Sequence, residues 1–247
     1  MTIRSLLFLP TFAKMYSGAS RIQKRKVSGI MKKRNQVDLW VATALLVAFV
    51  LWTVLLRLVD VEAIGPQGST VGFATLNRFV HKLTGVHMSL YTVTDWLGLV
   101  PFCVVFCFAV LGLLQWIKRK SLLKVDRSIL TLGGFYAVVM TVYIFFETVV
   151  INYRPVLING CLEASYPSST TMLVMCVMPT AMMQLNARIQ NRAVKGCVML
   201  AMALFVAFMV IGRLVSGVHW VTDIIGGIML SAGLVTACRT VSGLSVE

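Results

Sequence analysis

Long apolar runs, separated by short polar or turn-rich segments, dominate the chain. Each run approaches the roughly 20 residues that an α-helix needs to cross the hydrocarbon core of a membrane. Six such runs can be read: residues 39–59, 97–117, 128–150, 169–186, 196–215 and 220–238. We therefore predict an all-α fold, a polytopic membrane protein built as a bundle of six transmembrane helices.

A further segment with helical periodicity follows the first apolar run. It comes after the turn-rich sequence Gly65-Pro66-Gln67-Gly68. Its apolar residues recur at helical spacing: Val71, Leu76, Phe79, Val80 and Leu83. The pattern predicts a short amphipathic helix over 71–84 that lies at the outer membrane interface. A packed interfacial connector is favoured over a lid above a substrate site.

Composition agrees with a membrane protein and fixes its expected orientation. The chain is 58% hydrophobic and 13% charged, whereas a soluble domain carries about a quarter charged residues. Its net charge is +14, and 18 of its 23 lysines and arginines lie in residues 1–38, 118–127 and 188–195 or at Arg239. Six spans put these regions on one side, so both termini are expected in the cytoplasm of a cell-membrane protein. No basic stripe with interleaved aromatic residues indicates nucleic-acid binding.

One polar cluster near the carboxyl end stands between two apolar runs. It reads Arg213-x5-His219-x3-Asp223. If the chain is helical from Trp220 onward, His219 and Asp223 share a helix face, so the carboxylate can hold one imidazole nitrogen. The other nitrogen is then free to attack or to carry a proton, and Arg213 can bind an anion in a bidentate manner. These groups suit phosphoryl transfer.

The segment 151–170 supplies a second set of polar residues. Arg154 and Glu163 are charged groups close to apolar helices, where charge is costly. The helix that follows can be capped by three hydroxyl residues, Ser168, Ser169 and Thr170, and a helix N-terminus is a natural phosphate site. With six spans, this segment and the His219 cluster emerge on the same face of the membrane, opposite the basic one.

In order and spacing, these blocks resemble the signatures of the type 2 phosphatidic acid phosphatase superfamily, which includes lipid phosphate phosphatases and haloperoxidases. The family signatures are Lys-x6-Arg-Pro, Pro-Ser-Gly-His and Ser-Arg-x5-His-x3-Asp. The corresponding residues here are Arg154-Pro155, Pro167-Ser168 and the Arg213, His219 and Asp223 cluster. The resemblance covers roughly residues 95–240 and is to the bacterial membrane-bound branch.

The resemblance implies a role for each matching residue. His219 is expected to be the nucleophile that accepts the phosphoryl group, and Asp223 to orient it. Four residues are expected to hold the phosphate oxygens: Arg154, Ser168, Ser169 and Arg213. Water then releases phosphate from the phosphohistidine, and no metal or other cofactor is implied. The expected partners are a membrane lipid phosphate substrate and the bilayer itself.

The chain departs from the family pattern in each of the three signatures. Glu147 replaces the lysine of the first signature, Thr170 the histidine of the second, and Gly212 the serine of the third. Glu147 removes a phosphate-binding charge and is expected to repel substrate unless it pairs with an arginine. Thr170 cannot replace the family's general acid at neutral pH, although Glu163 could do so if burial raises its pKa.

The missing general acid bears on the substrate. Acid catalysis matters most when an alcohol leaves, whereas a diphosphate expels a phosphate monoester whose second pKa is about 6. We therefore expect a preference for lipid diphosphates, such as a polyprenyl diphosphate, over phosphatidate.

The chain is expected to be organised around one membrane core. The segments are a basic cytoplasmic N-terminal part (1–38), a first span with the amphipathic segment (39–95), a phosphatase-like core (96–240) and a cytoplasmic tail (241–247). The sequence around Met31 resembles the natural start of a bacterial membrane protein, so residues 1–30 are hypothesised to be absent from the native chain.

Taken together, the residues predict an integral-membrane lipid phosphatase with its site on the extracytoplasmic face. Three alternatives stay open at this point. The chain could be a degenerate member that binds lipid phosphate without hydrolysing it, or His219 and Asp223 could form only a structural hydrogen bond. A transporter with a His219–Asp223 proton relay is a further possibility, although no inverted repeats are visible. Three questions stay open as well: which lipid is cleaved, whether water or another lipid accepts the phosphoryl group, and how many copies of the chain associate.

Overall fold

The structure is a computed structural model that describes the backbone of residues 9–242 and the side chains of residues 33–241. Within that part of the chain it is all-α, with isolated β-bridges but no strands. The eight helices described are α1 (Leu9–Leu58), α2 (Ala74–Thr84), α3 (Met88–Leu97), α4 (Leu99–Arg119), α5 (Arg127–Thr148), α6 (Ser169–Arg188), α7 (Arg192–Val215) and α8 (Val221–Ser242).

Five segments of the described chain are long and apolar enough to cross a membrane. They are Lys33–Leu58, Met88–Arg119, Arg127–Thr148, Arg192–Val215 and Val221–Val241. Helix α6 is not among them, because polar residues such as Thr180 and Gln184 lower its hydropathy. Both of these residues are buried inside the bundle, where α6 packs against α4, α5, α7 and α8. The predicted count of six spans therefore stays a prediction.

Helix α3 was not predicted. The apolar run was placed at 97–117, yet the chain is already helical from Met88, and Gly98 joins α3 to α4. Thr94 and Asp95 interrupt the apolar pattern before that run, which hides the helix from a hydropathy reading. The first helix also differs from its predicted bounds, since α1 begins at Leu9 rather than at residue 39.

The amphipathic helix predicted over 71–84 corresponds to α2, and its burial pattern is inverted relative to a soluble protein. Leu76, Phe79 and Leu83 point outward, with 40%, 61% and 70% of their surface exposed. Asn77 is instead fully buried, and its amide nitrogen donates to the Thr222 hydroxyl oxygen at 3.0 Å. An outward apolar face is what a helix in contact with lipid requires.

Helices α1 and α8 pack along much of their length and hold the site loop between them. The Tyr166 ring stacks on Phe49 with centroids 6.1 Å apart, and its hydroxyl lies 2.7 Å from the Thr53 hydroxyl. Gly226 leaves room for this ring, because a Cβ there would lie 2.5 Å from a ring carbon. Tyr166 therefore anchors the segment that precedes α6 inside the bundle.

One end of the bundle, here called the basic end, is defined by Arg119, Asp126 and Arg188. The Asp126 carboxylate accepts from Arg119 at 3.0 Å, from Gln115 at 2.9 Å and from Arg188 at 3.4 Å, which ties the ends of α4, α5 and α6 together. Hydrogen bonding by Gln115, followed by Arg119, lowers the pKa of Asp126.

The first and last helices of the bundle, α1 and α8, are also joined at the basic end. The Arg239 Nε atom of α8 lies 3.5 Å from the Asp38 carboxylate of α1. The hypothesised start at Met31 and residues 243–247 of the predicted tail lie outside the described side chains, so these predictions are left as they stand.

Candidate active site

The loop between α5 and α6 folds back on itself at the opposite end of the bundle, which we call the site end. Tyr153 and Ala164 form an antiparallel bridge. On either side of it, the Arg154 N–H donates to the Glu163 carbonyl at 3.0 Å, and the Ser165 N–H donates to the Asn152 carbonyl at 2.9 Å. This pairing places Arg154 and Ser165 side by side.

The turn between α7 and α8 carries His219 to the same place. Gly217 has a φ of +68°, and a Cβ there would lie 1.9 Å from the Gly85 carbonyl oxygen, so the turn fits closely against the α2–α3 connection. A ring nitrogen of His81 lies 3.1 Å from the Gly217 carbonyl oxygen. Helix α8 begins only at Val221, so His219 precedes the helix and does not share a helical face with Asp223 as the sequence suggested.

His219 lies between two guanidinium groups. Its Nε2 atom is 3.4 Å from Arg154 Nη1 and 3.4 Å from Arg213 Nη2, and the residue is only 3% exposed. A phosphate held by both arginines would therefore have its phosphorus next to Nε2. The structure thus brings together three of the residues that the sequence singled out: Arg154 from the α5–α6 loop, Arg213 from the last turn of α7 and His219 from the turn that follows.

Ser165 stands between His219 and Asp223. The His219 Nδ1 atom is 3.1 Å from Ser165 Oγ but 3.9 Å from the Asp223 carboxylate. The Ser165 hydroxyl donates its one hydrogen to Asp223, so its oxygen can only accept from the imidazole. We therefore assign the Nδ1–H tautomer, which leaves Nε2 with a free lone pair facing the arginines.

Asp223 is itself held by its surroundings. It is fully buried, and its carboxylate accepts from the Trp220 N–H at 2.9 Å and from the Asn152 amide at 3.4 Å. The Trp220 contact is the backward hydrogen bond of a capping box, with an acid at the third helical position. Asp223 thus orients His219 through Ser165 and at the same time starts α8.

Removing the Ser165 hydroxyl should slow the reaction without weakening substrate binding. In Ser165→Ala the buried Nδ1–H loses its acceptor, which costs about 1–3 kcal/mol, so we expect kcat to fall roughly 5- to 150-fold at a nearly constant KM. Steady-state kinetics of purified protein would measure both constants. Ser165→Thr keeps the hydroxyl and should retain most of the rate; an equal loss in the two variants would point to damaged packing instead.

The environment of His219 keeps its imidazole neutral. Burial, and then the positive charges of Arg154 and Arg213, lower the pKa of His219 well below its ordinary value of 6.5. A neutral imidazole is the form that can attack phosphorus.

A change of charge beside His219 should move the pH profile in a known direction. If His219 is the nucleophile, as the sequence predicts, its protonation inactivates the site, so a lowered pKa extends activity toward acid, and Arg154→Gln removes one cause of the lowering. We expect the acid limb of kcat/KM to move to higher pH in Arg154→Gln than in the unaltered protein. Substrate ionisation is common to both profiles, so a limb that stays in place or moves to lower pH would contradict the electrostatic account.

Helix α3 supplies two residues that the sequence did not indicate. The Arg213 guanidinium carbon lies 4.9 Å from the centre of the Tyr91 ring, and the Arg154 guanidinium carbon lies 5.9 Å from it. One turn later, Asp95 pairs with Arg213 at 3.5 Å. Both contacts hold the arginines in place, and they depend on a helix that the hydropathy pattern concealed.

A cavity of about 750 Å³ opens next to these groups. Among the predicted site residues, six line it: Glu147, Arg154, Glu163, Ser169, Thr170 and Arg213. Ser168, His219 and Asp223 do not line it, and His219 adjoins it only through its contacts with Arg154 and Arg213. Ser168 is fully buried, and its hydroxyl caps α6 by accepting from the Thr171 N–H at 3.5 Å. The structure therefore places Ser169, and not Ser168, beside the space where a substrate would lie.

The two glutamates of this cavity differ in their partners. The Glu163 carboxylate lies 3.1 Å from Arg154 Nε and is engaged in an ion pair with it. No arginine or lysine in the described chain forms an ion pair with Glu147, although pairing was the condition under which it would not repel phosphate. Thr170 is half-buried, and its methyl group lies near Gly98.

Comparisons with known proteins add to this geometry. A family model described as "PAP2 superfamily" matches residues 101–246. No curated protein matches the chain. Among solved structures, the chain is similar to the "first transmembrane PAP2 type phosphatidylglycerolphosphate phosphatase from Bacillus subtilis", with 18% identity, a TM-score of 0.53, and 81% of this chain and 94% of that chain covered. At this level of identity the likeness is one of fold.

Proposed function

This chain belongs to the PAP2 superfamily, and we propose that it hydrolyses a phosphate ester or diphosphate on a membrane lipid. Membership agrees with the resemblance of the three sequence blocks, and the all-α membrane fold agrees with the prediction. The observation that carries the proposal is the position of His219 Nε2, which lies 3.4 Å from each of two arginines that line a large cavity.

In the first step, the Nε2 lone pair of His219 attacks phosphorus, and the bond from phosphorus to the leaving oxygen breaks. Arg154 and Arg213 bind the phosphoryl oxygens, on which negative charge is spread in the transition state. The imidazole becomes positively charged as the P–N bond forms. Its Nδ1–H donates to Ser165 and, through Ser165, is stabilised by the Asp223 carboxylate.

In the second step, water attacks the phosphorus of the phosphohistidine. The P–N bond breaks, its electron pair returns to Nε2, and inorganic phosphate leaves with the oxygen and a proton of that water. For a diphosphate substrate, the products are a lipid monophosphate, inorganic phosphate and one proton. The residues that hold the phosphoryl group are the same in both steps.

The leaving group is where this chain differs from its family pattern. Thr170 lines the cavity but cannot donate a proton at neutral pH, and Glu163 is engaged with Arg154. A substrate that needs little protonation is therefore favoured. We propose a preference for lipid diphosphates, since their leaving group is a phosphate monoester with a second pKa of about 6.

The proposed location of the chemistry is the extracytoplasmic side of the membrane. The basic end, with Arg119 and Arg188, lies opposite the site end, and basic segments face the cytoplasm in membrane proteins. The substrate would reach the site from the bilayer, with its headgroup in the cavity.

Phosphate release from a panel of lipids would test the proposal. The full-length protein in detergent would be given a polyprenyl diphosphate, phosphatidate and phosphatidylglycerolphosphate, each with and without a chelator. Faster release from the diphosphate, unaffected by chelation, is expected. Tight binding without release from any of them would instead support a degenerate lipid-phosphate-binding protein, an alternative that the changes at Glu147 and Thr170 favour over a transporter.

A further inference from the structure

Glu147 occupies an unfavourable place for a negative charge. It is the second-last residue of α5, so it sits at the negative end of the helix dipole, and the last turn of α5 contains no basic residue. It is exposed toward the cavity and has apolar neighbours on its helix. A positive group placed beside this carboxylate would be stabilised by it and by the negative end of the helix dipole.

The protein supplies no such partner within its described part, because the cations of the cavity are already engaged. Arg154 pairs with Glu163 and Arg213 pairs with Asp95. The cavity thus has two positive and three negative side chains, and Glu147 is the negative one that has no positive partner among the described residues. A phosphate bound by the arginines adds further negative charge to the same space.

The cavity is nevertheless built for an anionic ligand. Arg213 is only 1% exposed yet lines the cavity, and its Nε atom has no hydrogen-bond partner. This buried, incompletely bonded guanidinium indicates where the negative part of the ligand binds. A ligand that satisfies both Arg213 and Glu147 must carry charges of both signs.

Aromatic rings stand beside Glu147. Tyr143 lies one turn earlier on α5, on the same face, and lines the cavity together with Phe102 of α4. A carboxylate next to aromatic rings is the setting in which proteins bind organic ammonium groups. It suits a divalent metal poorly, because such an ion needs several oxygen ligands at once.

We propose that the lipid substrate carries an ammonium group close to its phosphate, and that Glu147 and Tyr143 bind this group while the arginines hold the phosphate. The inference rests on the proposed phosphatase function and names its substrate class: a zwitterionic lipid phosphate or diphosphate. The replacement of a lysine by Glu147 then changes which headgroup the cavity accepts.

A matched pair of substrates tests this directly. One is a long-chain alkyl diphosphate with a free ammonium group on the second carbon, and the other is its N-acetyl derivative, which lacks the positive charge. The full-length protein in detergent should show a kcat/KM roughly tenfold higher for the ammonium compound. Glu147→Gln should remove this preference: it should lower kcat/KM for the ammonium compound and raise it for the acetylated one, because a negative charge near the phosphate is lost, whereas Glu147→Lys should reverse the preference.

Glu62→Gln serves as the control, since this carboxylate pairs with Arg78 and does not line the cavity. Equal rates for the two compounds, or a preference that survives Glu147→Gln, would overturn the inference while leaving the phosphatase function intact. A preference that appears only with an added divalent metal would assign Glu147 to a metal ion instead.

Binding separates the two proposals. If no substrate releases phosphate, the phosphatase function fails, but the headgroup preference is still measured as the ratio of the dissociation constants of the two compounds. Tighter binding of the ammonium compound, lost in Glu147→Gln, supports the inference. Equal binding refutes it.

Discussion

Replacing His219 with alanine should abolish phosphate release. The imidazole supplies the only nucleophile between Arg154 and Arg213, and loss of a nucleophile from a site that acts as a unit lowers kcat by about 10⁴- to 10⁶-fold. The measurement is phosphate release from the best substrate of the lipid panel. The melting temperature of the variant in detergent would show that its fold is retained.

His87→Ala is the matched control for this experiment. His87 is exposed, does not line the cavity, and its ring nitrogen lies 2.8 Å from the Thr84 carbonyl oxygen, so its loss should leave the rate unchanged. The unaltered protein, quenched during turnover with a ³²P-labelled substrate, should carry acid-labile, base-stable phosphate, as a phosphohistidine does. Label of this kind persisting in His219→Ala, or a rate close to normal, would refute the assigned nucleophile.

Introducing a histidine at Thr170 should restore acid catalysis for substrates with a poor leaving group. Thr170 lines the cavity and occupies the place of the family's second-signature histidine. General acid catalysis contributes typically 10²- to 10⁴-fold, so Thr170→His should raise the rate for phosphatidate by about 100-fold. The rate for a diphosphate should change little, because its leaving group needs no proton.

Thr170→Gln separates this effect from a simple change of side-chain size. Glutamine is comparable in volume to histidine but cannot donate a proton as an acid. An equal gain in both variants would show that Thr170 restricts space and not proton supply. If Thr170→His accelerates the two substrate types by the same factor, the proposed reason for the diphosphate preference is wrong.

The helices could be predicted from the sequence where they expose long apolar surfaces. Helices α4, α5 and α7 have long apolar surfaces, and their predicted bounds differ from the observed ones by only a few residues. Helix α3 escaped prediction because Thr94 and Asp95 interrupt its apolar pattern: Thr94 is buried, whereas Asp95 is exposed, lines the cavity and pairs with Arg213. A hydropathy pattern reports contact with lipid, so it loses helices whose polar residues are buried or line a cavity.

The candidate site was accessible to prediction only in part. Spacing along the chain indicated Arg154, Arg213 and His219, and the structure places these three side chains in contact. Ser165 could not be found in this way, because its position between His219 and Asp223 arises from the pairing of two loop segments. Its only signal in the sequence is that it lies three residues before Ser168, which carries no chemical meaning by itself.

The ion pair between Asp38 and Arg239 determines whether the chain crosses the bundle an even or an odd number of times. A chain whose bundle begins and ends at the same end must traverse it an even number of times. The five apolar segments are an odd number, so we predict that α6, which starts beside the site and ends at Arg188, is the sixth traverse. Tags fused to the two termini should therefore report the same compartment, whichever way the protein is inserted.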